Sequence, residues 1–232
     1  MSTPAAPPGA AGVFGDRMPL AVRFTDILAD TGVSHGLIGP REVPRLWDRH
    51  VMNCAVIAGT FSEGTRLVDV GSGAGLPGVV LALVRPDLDV HLVEPMLRRT
   101  QWLDGVVGDL ALDNVTVHRG RAEELAGRLV APFVTARAVA RLDKLARWCV
   151  PLLAPGGTLV AMKGRSAAEE LAQDRRALER LGLSSAVVSE HGAGLLDEPV
   201  LTVDLRFERR AQPSARRAVA GATKRRRGPT RR

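Results

Sequence analysis

Residues 67–83 read LVDVGSGAGLPGVVLAL, and this stretch decides the fold. It begins as a valine-rich apolar run, turns on Gly71, Gly73 and Gly75, and continues with an apolar pattern typical of a helix. The pattern predicts a strand, a tight turn and a helix, in that order. Because glycine has no Cβ, a ligand can approach this turn closely. The helix directs the positive end of its dipole towards the same place.

The position of Asp69 helps to choose between the candidate ligands. Residues 73–78 match the G-x-G-x-x-G pattern of a dinucleotide site. Asp69, however, precedes Gly71 by two residues, at the carboxyl end of the strand, where open α/β sheets bind their ligands. A carboxylate there would repel a pyrophosphate and attract a cation. We therefore favour S-adenosylmethionine, which carries an ammonium and a sulfonium but no phosphate, over a dinucleotide or a purely structural turn.

The charge of the chain is unevenly distributed. The 232 residues have a formal net charge of +7, but residues 209–232 contain ten basic residues and no acidic one. The rest of the chain is therefore mildly acidic. The basic tail is rich in Arg, Ala, Pro and Gly and cannot form a core, so we expect it to be disordered. It is suited to bind a polyanion such as RNA, although a solvated tail that only aids solubility is the alternative.

The remaining sequence predicts one α/β domain with a helical extension. Residues 1–15 are expected to be disordered, residues 16–62 to form a small N-terminal helical cap, and residues 63–208 to form the main domain. Alternating strand and helix patterns predict a seven-stranded, mostly parallel, Rossmann-like sheet that ends in an antiparallel pair. The predicted strands are 66–70, 89–93, 115–118, 133–137, 158–162, 185–190 and 199–207.

Several classes of protein are disfavoured by the sequence. No apolar run approaches the ~18 residues of a membrane span, and the N-terminus does not resemble a secretory signal. Cys54 and Cys149 are far apart, so we expect two reduced thiols in a cytoplasmic protein. No cluster of His, Cys and Asp has the spacing of metal ligands, and we expect no metal site.

Four positions near predicted strand ends are candidates for ligand contacts. Glu94 ends the second strand, where a carboxylate can accept hydrogen bonds from a ribose diol, or can simply begin a helix. Ala122 and Glu123 follow the third strand, and their loop could hold an adenine through backbone groups, although Glu123 alone reads as an ordinary first-turn residue. Arg137 ends the fourth strand and could bind a phosphate or a carboxylate, or form a salt bridge.

Three further candidates have basic side chains. Lys163 follows the fifth strand and is one of only three lysines in the chain, so it could contact an RNA phosphate or another substrate. Arg49 and His50 lie in a predicted helix before the glycine turn. From the sequence, His50 could equally be a base, a stacking residue or a hydrogen-bonded helix residue.

Taken together, these segments resemble the 16S ribosomal RNA (guanine-N7) methyltransferase G family, also called RsmG or GidB. The matching segments, in family order, are 49–54 (RHVMNC), 68–78 (VDVGSGAGLPG), 122–123 (AE), 135–140 (TARAVA) and 162–164 (MKG). The Ala/Pro-rich start and the long Arg-rich tail lie outside the family pattern.

The resemblance implies a class I Rossmann-like methyltransferase that uses S-adenosylmethionine. By family position, the cofactor site is lined by Gly71, Leu76, Glu94, Ala122, Glu123 and Arg137. The implied substrate is N7 of a guanine in the helix 18 region of small-subunit ribosomal RNA. The expected partner is therefore the small ribosomal subunit or its RNA, with no membrane, no metal and a monomeric enzyme.

Guanine chemistry predicts a mechanism without a general base. N7 has an in-plane lone pair and no proton, so alignment and electrostatics should suffice for methyl transfer. We expect Asp69, Gly73 and Glu94 to contribute to cofactor binding. The candidate catalytic residues are Arg137 and Lys163, which would position a phosphate or guanine O6, and Arg49 and His50, which would line the RNA side.

Two other functions are compatible with the same sequence. The chain could be a class I methyltransferase for a different RNA or a small molecule, which the acidic body favours slightly. It could also be a non-catalytic RNA-binding protein on a methyltransferase fold, which the intact glycine turn disfavours. A dinucleotide oxidoreductase is a more distant reading, because no residue for hydride chemistry is evident.

Overall fold

The structure, a computed structural model, describes residues 3–137 and 140–208. Its centre is a seven-stranded sheet in the order β3-β2-β1-β4-β5-β7-β6. The first five strands are parallel, and β7 pairs antiparallel with both β5 and β6. The predicted fold class, a mostly parallel Rossmann-like sheet, is confirmed. The strands are β1 (Arg66–Val70), β2 (Asp89–Glu94), β3 (Val115–Arg119), β4 (Ala131–Arg137), β5 (Leu153–Lys163), β6 (Leu183–His191) and β7 (Val200–Phe207).

Helices cover both faces of the sheet and form two apolar cores. One core lies between the sheet, α4, α5 and the N-terminal helices, and the other lies between the sheet, α6, α7 and α8. The helices are α1 (Ala10–Phe14), α2 (Met18–Ile27), α3 (Met52–Ala55), α4 (Gly78–Val84), α5 (Leu97–Asp109), α6 (Ala122–Leu125), α7 (Leu142–Cys149) and α8 (Ala167–Arg180). Within the described residues, no helix is both long and apolar enough to cross a membrane.

The cap before β1 is less regular than the helical cap that the sequence predicts. The predicted helix that contains Arg49 and His50 is divided into a 3₁₀ turn (Pro40–Arg45), a π-helical turn (Leu46–Val51) and the single-turn helix α3. Pro44 lies inside the 3₁₀ turn and lacks the N–H that a continuous α-helix requires. The apolar periodicity is nevertheless retained, because Leu46, Trp47 and Val51 are all buried.

Residues 3–15, the described part of the N-terminal segment, contain a helix that packs on the cap, which differs from the prediction that residues 1–15 are disordered. Helix α1 buries Ala10 and Phe14, and the Phe14 ring packs edge-on against Trp47 with 6.3 Å between centroids. The Trp47 indole N–H also donates to the Pro4 carbonyl at 3.1 Å. The prediction failed because these few anchors find partners only in the folded cap. The predicted disordered tail, 209–232, lies outside the described residues.

Strand β5 is also longer than its prediction, which began at residue 158. It starts at Leu153, which pairs with Ala131 of β4, and a register shift between Ala131 and Phe133 absorbs the extra residues. Residues 154–157 (APGG), which precede the predicted strand, are therefore an irregular part of β5. Gly156 in this segment has φ of +73°, a conformation that glycine adopts without strain.

The predicted strand–turn–helix around Gly71 is present, and it packs α4 tightly against the sheet. Gly71, Gly73 and Gly75 all have positive φ, as a tight turn of this shape requires. Gly78 is the first residue of α4, and a Cβ built on it would collide with Leu92 and lie 2.8 Å from Asp69 Oδ2. The close approach of helix and sheet at this point therefore requires glycine.

This close contact predicts opposite effects for two glycine-to-alanine changes in helices. Gly78→Ala should lower the free energy of unfolding by about 2 kcal/mol or more, because the new methyl group overpacks the core. Gly105→Ala in α5 meets no neighbouring atom and should raise it by up to about 1 kcal/mol through helix propensity. Urea denaturation of both variants measures the difference. Equal effects would contradict the packing described for Gly78.

Candidate active site

The predicted site residues converge on one edge of the sheet. The carboxyl ends of parallel strands lie together, so Val70, Glu94 and Arg137 at the ends of β1, β2 and β4 share this edge. Strand β1 lies between β2 and β4, and the chain order reverses at this point. In open α/β sheets this topological switch point is where ligands bind.

The glycine turn and Glu94 are joined directly. Glu94 is only 2% exposed, and its Oε2 accepts a hydrogen bond from the Gly73 N–H at 3.2 Å. Its other oxygen, Oε1, accepts from the Met96 N–H at 3.0 Å, and Arg99 Nη1 lies 3.6 Å from Oε2. A carboxylate offers about four lone-pair positions, so acceptor capacity remains for a ribose diol. The alternative reading of Glu94 as an exposed surface residue does not fit this burial.

The segment predicted to hold an adenine lies beside Glu94. The Gly120 N–H donates to the Glu94 carbonyl at 3.2 Å, which fastens the loop after β3 to the end of β2. Ala122 then begins α6 and is buried, whereas Glu123 is exposed. This arrangement is compatible with recognition through the backbone of the loop, as the sequence suggested. Leu76 is 9% exposed and contributes to the wall of the turn.

Asp69 is completely buried beneath the turn. Its Oδ2 accepts a hydrogen bond from the Gly78 N–H at 3.0 Å, and Oδ1 has no partner among the described residues. Burial raises the pKa of Asp69 to about 7, an effect to which the charge of nearby Glu94 adds. Asp69 thus has a structural role that the sequence did not reveal: it accepts a hydrogen bond from the N–H of the first residue of α4. The other oxygen, Oδ1, is buried without a hydrogen-bond partner among the described residues, and a cationic group would supply one.

These observations fit S-adenosylmethionine. The turn supplies close backbone approach, Glu94 retains acceptor capacity for hydroxyls, and Asp69 has an orphaned buried oxygen for a cationic group. Among the described residues, no cluster of His, Cys, Asp and Glu could hold a metal ion.

Arg137 and His50, which are far apart in sequence, are in direct contact. Arg137 Nη2 lies 2.9 Å from His50 Nδ1 and donates to the Arg49 carbonyl at 3.0 Å. Its Nη1 donates to Cys54 Sγ at 3.2 Å. The guanidinium therefore crosses from β4 to the cap, and the alternative of a simple salt bridge for Arg137 finds no support in these contacts.

Both ring nitrogens of His50 are occupied. Nε2 lies 2.9 Å from Glu42 Oε2, and Nδ1 faces Arg137. Burial lowers the pKa of His50, and the charge of Arg137 lowers it further. Of the three readings open from the sequence, the hydrogen-bonded residue fits best. Glu42 was not singled out from the sequence, because a lone glutamate before Pro44 carries no local signal.

Lys163 differs from its predicted role in contacting RNA phosphate or substrate. Its ammonium donates to the Ala140 carbonyl at 2.6 Å and to Glu170 Oε1 at 2.9 Å. Glu170 also accepts from the Leu142 N–H at 2.7 Å. Lys163 therefore fastens the segment after β4 to α8, and its positive charge is compensated within the protein. Its catalytic role stays a prediction without support from this geometry.

A cleft of about 1320 Å³ is lined by Arg137 at the end of β4. Arg45 and Arg49 of the cap also line it, together with Leu195 and Leu196 of the segment after β6. Pro7 of the ordered N-terminal segment also lines it. The cleft is large enough to admit a nucleobase and its flanking groups.

The buried carboxyl of Asp69 predicts a pH dependence of stability. Folding raises the pKa of Asp69, so the native state favours the protonated carboxyl. The contribution of Asp69 to the free energy of unfolding is therefore greatest below about pH 4 and decreases as the pH rises towards 7. Asp69→Asn keeps an oxygen for the Gly78 N–H but does not ionise. The free energy of unfolding of the variant relative to the wild type should therefore increase by roughly 3 kcal/mol from about pH 5 to about pH 8. Denaturation at several pH values without cofactor measures this difference, and a constant difference would contradict the assignment.

Comparison with known proteins identifies relatives over nearly the whole chain. The family model described as rRNA small subunit methyltransferase G matches residues 17–196. The ribosomal RNA small subunit methyltransferases G of Streptomyces avermitilis and Streptomyces coelicolor are 53% and 52% identical to this chain, each over 97% of both chains. The one from Thermobifida fusca is 55% identical over 82% of this chain and 80% of the relative.

Solved structures support the fold alone. The mitomycin 7-O-methyltransferase MmcR matches with a TM-score of 0.56 and 15% identity, over 84% of this chain and 68% of that one. The M. jannaschii protein TYW2, solved in complex with S-adenosylmethionine, matches with a TM-score of 0.53 and 19% identity, over 71% and 78%. The site and the sequence relatives lead to one conclusion: the chain belongs to the rRNA small subunit methyltransferase G family.

Proposed function

We propose that the protein transfers the methyl group of S-adenosylmethionine to N7 of a guanine in small-subunit ribosomal RNA, in the cytoplasm. One observation carries this proposal: the glycine turn held by Glu94 follows β1, and Arg137, which lines the cleft, ends the neighbouring strand β4 at the same edge of the sheet. The relatives' names support the ribosomal RNA as the substrate class. The choice of N7 and of the helix 18 region follows from the family resemblance.

The roles of the chain's residues follow from their positions. When bound, S-adenosylmethionine supplies an electrophilic methyl group on a sulfonium. Glu94 would accept hydrogen bonds from its ribose, and the loop at Ala122 and Glu123 would contact its adenine. The buried oxygen of Asp69 would face its cationic portion, and Gly71, Gly73 and Leu76 would shape the turn against which it lies.

The acceptor chemistry requires no proton removal before transfer. The in-plane lone pair of N7 can attack the methyl carbon directly while the sulfonium leaves as a neutral thioether. His50 has both ring nitrogens in contacts within the protein, which agrees with a mechanism without a general base. Catalysis would then depend on alignment of N7, methyl and sulfur, together with the electrostatics around them.

Arg137 is the residue best placed to orient the acceptor. A guanidinium has five N–H donors, of which three contact Cys54, the Arg49 carbonyl and His50. The other two have no acceptor among the described residues, so they are available to guanine O6 or a phosphate. The target base must leave its stack to reach this cleft, which favours a loop or an open region of the RNA.

A methyl-transfer assay tests the proposed function. Small subunits from cells that lack this gene are incubated with the protein and labelled S-adenosylmethionine, and the modified nucleotide is mapped. We expect N7-methylguanine at one position in the helix 18 region. Cofactor binding without label in that RNA would leave the fold and cofactor site intact but would refute the substrate.

The buried carboxylate of Glu94 predicts a specific loss of cofactor affinity. Glu94→Gln turns an amide NH₂ towards either the Gly73 or the Met96 N–H, so that one donor faces another. Affinity for S-adenosylmethionine should fall at least about tenfold, since the amide has one acceptor oxygen where the carboxylate has two, and a hydrogen bond to a charged acceptor contributes ~1.5–3 kcal/mol. Calorimetric titration measures the affinity, and the exposed Glu63→Gln is the control. Unchanged affinity in Glu94→Gln would contradict the assignment.

A further inference from the structure

Three side chains from separate elements form one chain of hydrogen bonds beside the cleft. Glu42 belongs to the 3₁₀ turn, His50 to the π-helical turn and Arg137 to the end of β4. We propose that Glu42 is a positioning residue: it fixes His50 in one tautomer, and His50 thereby holds the Arg137 guanidinium at the cleft. The consequence for activity rests on the proposed function, whereas the tautomer does not.

The direction of each hydrogen bond follows from the chemistry of Arg137. A guanidinium stays protonated and can only donate, so Nη2 must donate to His50 Nδ1 across 2.9 Å. An imidazole that accepts at Nδ1 while neutral carries its proton at Nε2. That N–H lies 2.9 Å from Glu42 Oε2, which accepts it. The opposite tautomer would place one N–H against another and would leave the Glu42 carboxylate facing a lone pair.

The charges around His50 favour this neutral form. Burial and the Arg137 charge lower its pKa, Arg49 on the same turn acts in the same direction, and Glu42 opposes them. The hydrogen bond from His50 in turn lowers the pKa of Glu42. Through Nη1, the Arg137 guanidinium also donates to Cys54 Sγ, and its charge lowers the pKa of Asp69. A protonated His50 would have no acceptor left for Arg137.

His50 is the one acceptor of Arg137, among the described residues, whose acceptor capacity depends on where a proton lies. The Arg49 carbonyl accepts whatever the protonation state, and Cys54 Sγ is a weak acceptor. If His50 takes the other tautomer, Nη2 loses one partner and the guanidinium can rotate about its long side chain. A shift of about 1 Å at a substrate-orienting group is enough to reduce a rate by one or two orders of magnitude.

Nuclear magnetic resonance of the histidine rings tests the tautomer directly. The chain has five histidines, and the His50 signals are assigned as those that are absent from the spectrum of His50→Asn. We expect the ring ¹⁵N shifts of wild-type His50 to show a proton on Nε2 near neutral pH. Glu42→Gln keeps an acceptor and should retain this tautomer, whereas Glu42→Met keeps the length without the acceptor and should give a mixture.

The same spectra provide a pH readout that a merely structural role would not move. Removing the negative charge in Glu42→Gln should lower the pH at which His50 titrates, because Glu42 favours the charged imidazole. The exposed Glu63→Met, which lies outside this cluster, is the matched control and should leave the His50 signals unchanged. A wild-type proton on Nδ1, or a tautomer indifferent to Glu42→Met, would overturn the proposal.

Methyl-transfer kinetics then test the consequence for Arg137. Glu42→Met should lower kcat about tenfold with little change in melting temperature, and Glu42→Gln should recover most of that loss. In the Arg137→Met background, Glu42→Met should cause no further loss beyond about twofold, because both changes remove the same orientation.

The outcomes separate this proposal from the proposed function. If the losses in kcat from the Glu42 and Arg137 substitutions are fully additive, Glu42 does not act through Arg137 and the proposal is refuted, even if ribosomal RNA is methylated as expected. Absence of methyl transfer by the wild-type protein would refute the proposed substrate instead. The histidine spectra would still decide whether Glu42 fixes the tautomer.

Discussion

The Asp69 carboxylate accepts a hydrogen bond from the Gly78 N–H, and the arrangement of the glycine turn depends on this contact. It connects the end of β1 to the start of α4 across nine residues, so the intervening turn has little freedom. Gly78 is required there because a Cβ would collide with Leu92. Glu94 then restrains the middle of the turn through Gly73. Two buried carboxylates thus hold a loop whose glycines alone would leave it flexible. The cost is an unpartnered oxygen and a raised pKa at Asp69, which a cationic ligand would relieve.

The sequence predicted the parts of the molecule that depend on local pattern. The strand–turn–helix at residues 67–83, the mostly parallel sheet with its final antiparallel pair and the position of Glu94 follow from periodicity, glycine conformations and the geometry of parallel sheets. The family resemblance added further residues expected to line the cofactor site, which no pattern of spacing specifies. The structure then joined Arg137 to His50, which the sequence had given only as separate candidates, one at a strand end and one in a helix before the glycine turn.

Features that depend on tertiary partners were missed. The Ala/Pro-rich start resembles a disordered segment, and Phe14 is buried only because Trp47 in the cap accommodates it. Lys163 reads as a free basic residue until α8 brings Glu170 against it. Glu42 has no signal in the sequence, since its role exists only when the π-helical turn presents His50 to it. In each case the sequence suggests a solvent-exposed residue, whereas the structure shows a packing or hydrogen-bond partner that belongs to another element.

The cap and the sheet act on one another through Arg137. On one side its guanidinium contacts the Arg49 carbonyl, Cys54 and His50, all of which belong to the cap. On the other side its charge lowers the pKa of Asp69, opposing the effect of burial. Any change that withdraws Arg137 from the cap therefore also alters the electrostatics beneath the glycine turn. A π-helical turn is rare and often marks a functional site, and here it presents both the Arg49 carbonyl and the His50 ring to one guanidinium. The irregularity of the cap is thus the means by which an arginine at the end of β4 is oriented between the glycine turn and the cleft.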